Sequence, residues 1–177
     1  NVAVVEVGLQ SANPLALRAI TRHTNLDLWA AGVQRIRAAG IEVLLDLILG
    51  LPGDDAAGVA MTRAFLQAHG LCNYDTFMLQ VLPGTRLRRE AAQHGLIFQK
   101  RPPYAILATP SLSYADLCRL RRELKADAGH DPDGWEGLPP VRARQQGGTL
   151  HRVHRLAVED LASFTPELHR WMRENPS

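Results

Sequence analysis

The chain has 177 residues, 46% of them hydrophobic, and a formal net charge of +2. That length carries one domain with a real core but falls short of the roughly 250 residues of a complete (β/α)8 barrel. No apolar run reaches the roughly 18 residues of a membrane helix, no basic-then-apolar leader comes first, and the widely separated Cys72 and Cys118 fit neither a disulfide framework nor a zinc site.

A reducing, cytoplasmic location is therefore expected, with no membrane partner. Positive charge gathers after Thr85, but it is scattered among acids and lacks the aromatic rows of a nucleic-acid platform. No nucleic-acid partner is expected either. The chain opens at Asn1 and enters a strand at once, which predicts either that residues were removed or that a longer protein was cut.

In chain order, residues 2–8 form a Val-rich strand. Pro14 opens a helix over 14–22, where a first-turn proline is well placed. Asn25 caps a second helix, 26–39, whose Leu26, Trp29, Ala30, Val33 and Ile36 follow helical spacing. Gly40 stops it in a left-handed cap. Residues 41–49 are nearly all apolar, as in a parallel strand buried on both faces. Asp54 or Asp55 starts a helix over 55–69, which Gly70 ends. A strand at 74–81 follows, and Thr85 caps a helix running to His94 before Gly95. Pro102, Pro103 and Tyr104 predict an extended segment. Ser113 and Asp116 form a capping box for a helix over 114–128. Residues 129–149 read as a loop or linker, and 150–177 as a helical tail with its helix starting at Thr165 and Pro166.

Strand and helix alternate at a regular interval, which predicts parallel strands with helical crossovers. The fold class is α/β: an incomplete parallel (β/α) barrel of three units over 1–100, followed by an extension with a helix over 101–128. Ligands of such barrels sit at the C-terminal ends of the strands. Side chains alternate along a strand, so Val4, Glu6 and Gly8 share a face with Gln10 just beyond. Leu44, Asp46 and Ile48 share one in the second strand, and Thr76, Met78 and Gln80 in the third. A carboxylate amid leucines, as at Asp46, is costly unless something satisfies it. A ligand hydroxyl, a nearby cation or the N–H groups of the following turn would each do so. Glu6 is either a ligand group or a bond across the barrel, and Gln10 either a ligand group or a turn former. Ser11, beside Gln10 and before a helix start, joins the candidates, as does Gln80.

Several other motifs carry less. Gly50-Leu51-Pro52-Gly53 lacks the ending of a nucleotide P-loop, so its glycines are expected to allow close backbone approach. Pro83-Gly84-Thr85 reads as a turn and helix cap. His151 and His154 have no further ligands at metal spacing and read as surface residues. Ser11 is not in a nucleophile elbow. No metal site is expected.

Taken together, Glu6-Val7-Gly8-Leu9-Gln10-Ser11, Arg22, and Asp46-Leu47-Ile48-Leu49-Gly50-Leu51-Pro52-Gly53 resemble the second half of a radical S-adenosylmethionine (SAM) domain. The subgroup is that of the oxygen-independent coproporphyrinogen oxidases, radical tRNA-modifying enzymes and cobalamin-binding radical SAM proteins. Leu82-Pro83-Gly84-Thr85-Arg86-Leu87, Gly95-Leu96-Ile97-Phe98 and Pro102-Pro103-Tyr104 are most similar to the cobalamin-binding branch and its C-terminal extension. The resemblance spans roughly 2–125. It implies a partial (β/α)6 barrel with SAM across the strand ends, chelated to a 4Fe-4S cluster. It further implies that Gln10 and Asp46 hydrogen-bond the SAM ribose or its surroundings, and that Arg22 pairs with the methionyl carboxylate. A cobalamin-binding domain upstream is left open.

The family's three clustered cysteines and first three strands are absent from the sequence, and a cluster needs thiolates that converge. The expectation is therefore a fragment of a radical SAM enzyme, inactive alone. It would supply SAM-binding and substrate-facing walls to an N-terminal half-barrel in the same or another chain. The alternatives are a non-catalytic half-barrel module that assembles with a partner chain, or part of a TIM-type lyase using Asp46 and Glu6 as acid–base groups.

Overall fold

The structure, a computed structural model, describes residues 2–131. The chain divides into two units, and these residues lie in the first, Asn1–Gly134. The expected loop over 129–149, the helical tail over 150–177, His151 and His154 fall outside the described residues, apart from the first positions of the loop.

Ten elements follow in order: β1 Val4–Gln10, α1 Pro14–Ala19, α2 Leu26–Ala38, β2 Glu42–Leu49, α3 Ala56–Ala68, β3 Tyr74–Met78, α4 Arg86–Glu90, β4 Ile97–Phe98, β5 Ile106–Ala108 and α5 Tyr114–Asp127. The caps explain most of the boundaries. Asn13, Asn25, Asp55, Thr85 and Ser113 each accept a backbone N–H of the following helix through their side chains, a contribution of about 1 kcal/mol apiece. Ser113 and Asp116 complete the reciprocal box. Of the two candidate starts for α3, Asp55 is the cap.

Some boundaries differ from the sequence expectation. β1 runs two residues further, through a bulge between Gly8 and Gln10. α1 stops at Ala19, because Thr21 takes a left-handed φ of 57° and its N–H turns back to the Arg18 carbonyl. Arg22 therefore lies outside the helix. The segment expected to be extended at 102–104 is a turn, with a cis bond between Pro102 and Pro103 and a φ of 61° at Tyr104. It joins β4 to β5, a short antiparallel pair with no clear signal in the sequence.

β1, β2 and β3 make a parallel sheet in the order β1-β2-β3. Beyond β3 the chain pairs with the start of β5: the Ile106 N–H donates to the Leu79 carbonyl and the Val81 N–H to that of Tyr104. The sheet does not close on itself among the described residues, so the barrel expectation reduces to an open, three-stranded parallel arc. β1 is an edge strand within them.

One sheet face is packed. Val43, Leu45, Leu47 and Leu49 of β2, with Tyr74 and Thr76 of β3, are buried there against Val33 of α2, Val59 and Leu66 of α3, and Leu117, Leu120 and Leu124 of α5. Each fully buried leucine contributes about 2 kcal/mol of transfer free energy. Arg63 of α3 pairs with Glu123 and Asp127 of α5 at the rim. Such half-exposed pairs add little, so the leucines hold α5 in place. The other face is different: Val4 is 53% exposed and Phe77 48%, Glu6 is exposed, and Leu44, Asp46 and Ile48 are half-buried. The expectation that β2 is buried on both faces is thus corrected, since only alternate residues are deeply covered.

Candidate functional site

The half-covered face gathers acids across the three strands. Gly8 stands beside Asp46, and Asp46 beside Asp75. Glu6, two residues before Gly8, points to the same side. Burial, then a side-chain hydrogen bond to Glu6, then the charges of Glu6 and Asp75 push the Asp46 pKa up to about 6. A neighbouring carboxylate disfavours ionisation of Asp46. Asp46 Oδ1 is nonetheless buried and accepts no hydrogen bond.

Gln10 joins them by an unusual route. The bulge gives it a left-handed φ of 66°, uncommon for any residue but glycine. Its carboxamide folds back to where a side chain at position 8 would begin. Gly8 and Asp46 are in register, so the Gln10 carboxamide lies on the Asp46 side of the sheet. Its Oε1 is also buried without a hydrogen-bond donor. Arg22 closes the same end of β1: its Nη2 donates to the Gly8 carbonyl at 2.7 Å and its Nε to Thr24 Oγ1 at 3.3 Å.

The structure thus sets Glu6 and Asp46 mid-strand on one sheet face, with the Gln10 carboxamide on that side and Arg22 at the end of β1. It does not bring Ser11 or Gln80 to them. Ser11 is 1% exposed, and its hydroxyl lies 3.3 Å from both Asp54 Oδ2 and Thr62 Oγ1, among the helices rather than towards a ligand. The alternation expected to set Thr76, Met78 and Gln80 beside Asp46 is reversed. Thr76 pairs with Leu47 on the packed face, because the sheet gains more by burying Tyr74 and Thr76 against the helices. Gln80 is an exposed residue beyond β3, bridged to Ala105. The residue actually beside Asp46 is Asp75, whose Oδ1 accepts the Thr76 N–H at 2.6 Å. An acid alternating with Tyr74 and Thr76 was the available signal, and the polar run ending at Gln80 outweighed it.

The Gly50–Gly53 loop follows the Asp46 strand, and its glycines meet protein. A Cβ on Gly50 would stand 2.8 Å from Ile106 Cγ2, and one on Gly53 3.3 Å from the Leu15 carbonyl. A hollow of about 400 Å³ lies at the opposite end of the sheet, bordered by Val33, Arg37, Glu42, Val43 and Asn73. There Arg37 donates to the Gly70 carbonyl and Asn73 to that of Val43.

Two orphaned acceptors, an acid that keeps its proton towards neutral pH and a guanidinium suit a ligand with hydroxyl or ammonium donors and a carboxylate. A SAM-like molecule has these groups, so the residues fit it. The described residues do not fit an iron–sulfur cluster. Cys72 is exposed and Cys118 half-buried on α5, and the described residues hold no group of three His, Cys, Asp or Glu side chains that could bind a metal ion. Among the described residues no helix is long and apolar enough to cross a membrane.

A family model described as "Protein of unknown function (DUF4080)" matches residues 92–124, from the end of the α4 region into α5. No curated protein matches the chain.

Proposed function

We propose that the chain is the C-terminal part of a radical SAM barrel and provides its SAM-binding and substrate-facing walls. The observation that carries this reading is the pairing of two buried, unpartnered oxygens, Gln10 Oε1 and Asp46 Oδ1, on one face of the parallel sheet. In it, Gln10 and Asp46 accept from ribose hydroxyls, and the neighbouring Glu6 helps to raise the Asp46 pKa. Arg22 meets the methionyl carboxylate from the Gly8 carbonyl, where it is already anchored. With SAM bound and one electron delivered from a 4Fe-4S cluster held outside this chain, SAM would give methionine and a 5′-deoxyadenosyl radical for hydrogen abstraction.

Three further features support the reading. α2, α3 and α5 pack on one sheet face, as in a barrel wall. The β1 edge suits pairing with a further strand. The DUF4080 match falls where the sequence resembles the extension of the cobalamin-binding branch. The cysteines that ligate a 4Fe-4S cluster, and any cobalamin, would come with an N-terminal half-barrel in the same or another chain, working in a reducing cytoplasm on a small-molecule substrate.

The test is equilibrium dialysis of SAM against this chain joined to its upstream half-barrel with the cluster reconstituted. The expected result is saturable binding that Asp46→Ala and Gln10→Ala each weaken about tenfold, the scale of a lost buried hydrogen bond. Absence of three clustered cysteines upstream, or binding indifferent to both substitutions, overturns the reading.

A second reading rests on Asp46 lying beside Glu6 and Asp75 with its pKa raised to about 6. A carboxyl with a pKa near 6 suits general acid–base work, as in a TIM-type lyase. Iron-free activity of the chain that Asp46→Asn abolishes would favour it. A non-catalytic half-barrel would bind its partner chain and show neither SAM binding nor turnover.

A further inference from the structure

We propose that the buried acid Asp54 is a positioning residue that sets the Gln10 carboxamide, acting through Ser11, Asn13 and Thr62. The proposal rests on Gln10 being a ligand-holding group, as above, but its geometry stands apart from the identity of the ligand.

The three residues after Gln10 are tied to the start of α3 at every step. Ser11 Oγ donates to Asp54 Oδ2 at 3.3 Å, and Asn13 Nδ2 donates to Asp54 Oδ1 at 2.8 Å. The Ala12 N–H donates to Thr62 Oγ1 at 2.9 Å, and the Asn13 N–H to Ser11 Oγ at 3.0 Å. Thr62 Oγ1 in turn donates to the Gly58 carbonyl at 3.0 Å. Ser11, Asn13, Asp54 and Thr62 are all at most 5% exposed. A side chain on Gly58 would collide with both Asp54 Oδ1 and Asn13 Nδ2, so the glycine leaves room for the cluster.

A strained backbone persists only where its surroundings over-determine it. Gln10 is left-handed, and the segment that would have to move for it to relax is Ser11–Asn13. Asp54 meets both ends of that segment. Its carboxylate faces Ser11, Asn13 and the N–H of Asp55, on the packed side of the sheet. It reaches the candidate site only by fixing the residues that follow Gln10.

The experiment compares Asp54→Ala with Asp54→Asn in this chain. Asparagine can still accept from Asn13 and can donate to Ser11 Oγ, whereas alanine can do neither. The first readout is the side-chain NH2 resonances of Gln10, followed by NMR between about pH 4 and 8 around the titration of Asp46. In the native chain and Asp54→Asn they should move with the Asp46 titration. In Asp54→Ala that response should vanish from Gln10 while persisting at the Asp46 amide. A Gln10 response retained in folded Asp54→Ala overturns the proposal. If Asp54→Ala does not fold, Thr62→Val takes its place: it keeps the shape and removes the acceptor for the Ala12 N–H, and an unchanged Gln10 response then overturns the proposal equally.

The second readout is SAM affinity in the joined protein. We expect a loss of about tenfold for Asp54→Ala, as for other outer-shell partners, and near-native affinity for Asp54→Asn. If native protein fails to bind SAM while the Gln10 response follows Asp54, the ligand assignment falls and the positioning stands. If native protein and Asp54→Ala bind SAM alike, the positioning falls.

Discussion

The carboxamide of Gln10 occupies the space into which any side chain at Gly8 would grow. One residue is thus glycine so that another, two positions on, can turn back over the sheet. Gly8 itself has no left-handed φ among the backbone exceptions, so the requirement concerns space.

Gly8→Ala should therefore separate folding from binding. The clashing atoms are the mobile end of a side chain, and alanine loses less entropy than glycine on ordering, worth about 0.5–1 kcal/mol. The unfolding free energy from urea titration should stay within about 0.5 kcal/mol of native or rise slightly. Ligand affinity in the joined protein should fall as far as in Gln10→Ala. A large loss of stability with unchanged affinity would contradict this geometry.

The raised pKa of Asp46 has a definite sign in stability. The folded chain holds this proton up to about pH 6, whereas an unfolded Asp releases it near its ordinary value of 3.8. Stability is therefore highest below about pH 4 with respect to this group. It falls as pH rises to about 6 and stays lower beyond. Asp46→Asn removes the penalty. The variant should exceed native stability at pH 8 by about 1–2 kcal/mol after allowance for solvent screening, with the difference closing near pH 4. Urea unfolding at the two pH values measures it.

Gly50 is constrained twice, by a φ of 85° and by Ile106 against its missing Cβ. Gly50→Ala should cost about 2–4 kcal/mol, combining left-handed strain with overpacking. Ile106 is itself fully buried, so Ile106→Ala is destabilising alone. In the double variant the two costs should be less than additive, because the methyl added at Gly50 then enters the space left by the truncated Ile106. Chemical denaturation of the four proteins in the cycle tests this. Full additivity would mean that the two residues do not meet.

The strands, helices and caps were legible because each rests on local chemistry. Asn25, Asp55, Thr85 and Ser113 cap where their hydrogen-bonding side chains predict, and Gly40, Gly70 and Gly95 take the left-handed turns that end elements. Asp46 stood out as an acid in an apolar strand. The position of Ser11 was not legible, because its partners Asp54 and Thr62 are 43 and 51 residues away. Asp75 was missed for a related reason. A five-residue strand with polar groups on both faces leaves its register open until helices choose which face to bury. The left-handed Gln10 had no local signal either, since a bulge arises between strands rather than within one.

The half-covered face supplies the last prediction. Val4 and Phe77 are exposed apolar residues on the outer strands of that face, on either side of Asp46. If this face lines the interior of a completed barrel, both residues become buried when the other half docks, and in the chain alone they promote self-association. Val4→Lys with Phe77→Lys should leave the thermal midpoint within a few degrees of native, since exposed substitutions cost little. The same variant should lower light scattering by the isolated chain. In co-expression with the upstream half-barrel it should abolish co-purification, because two ammonium groups would be buried without partners. Co-purification at native yield would mean that the halves meet elsewhere, and that the face bearing Asp46 and Gln10 is not an interior wall.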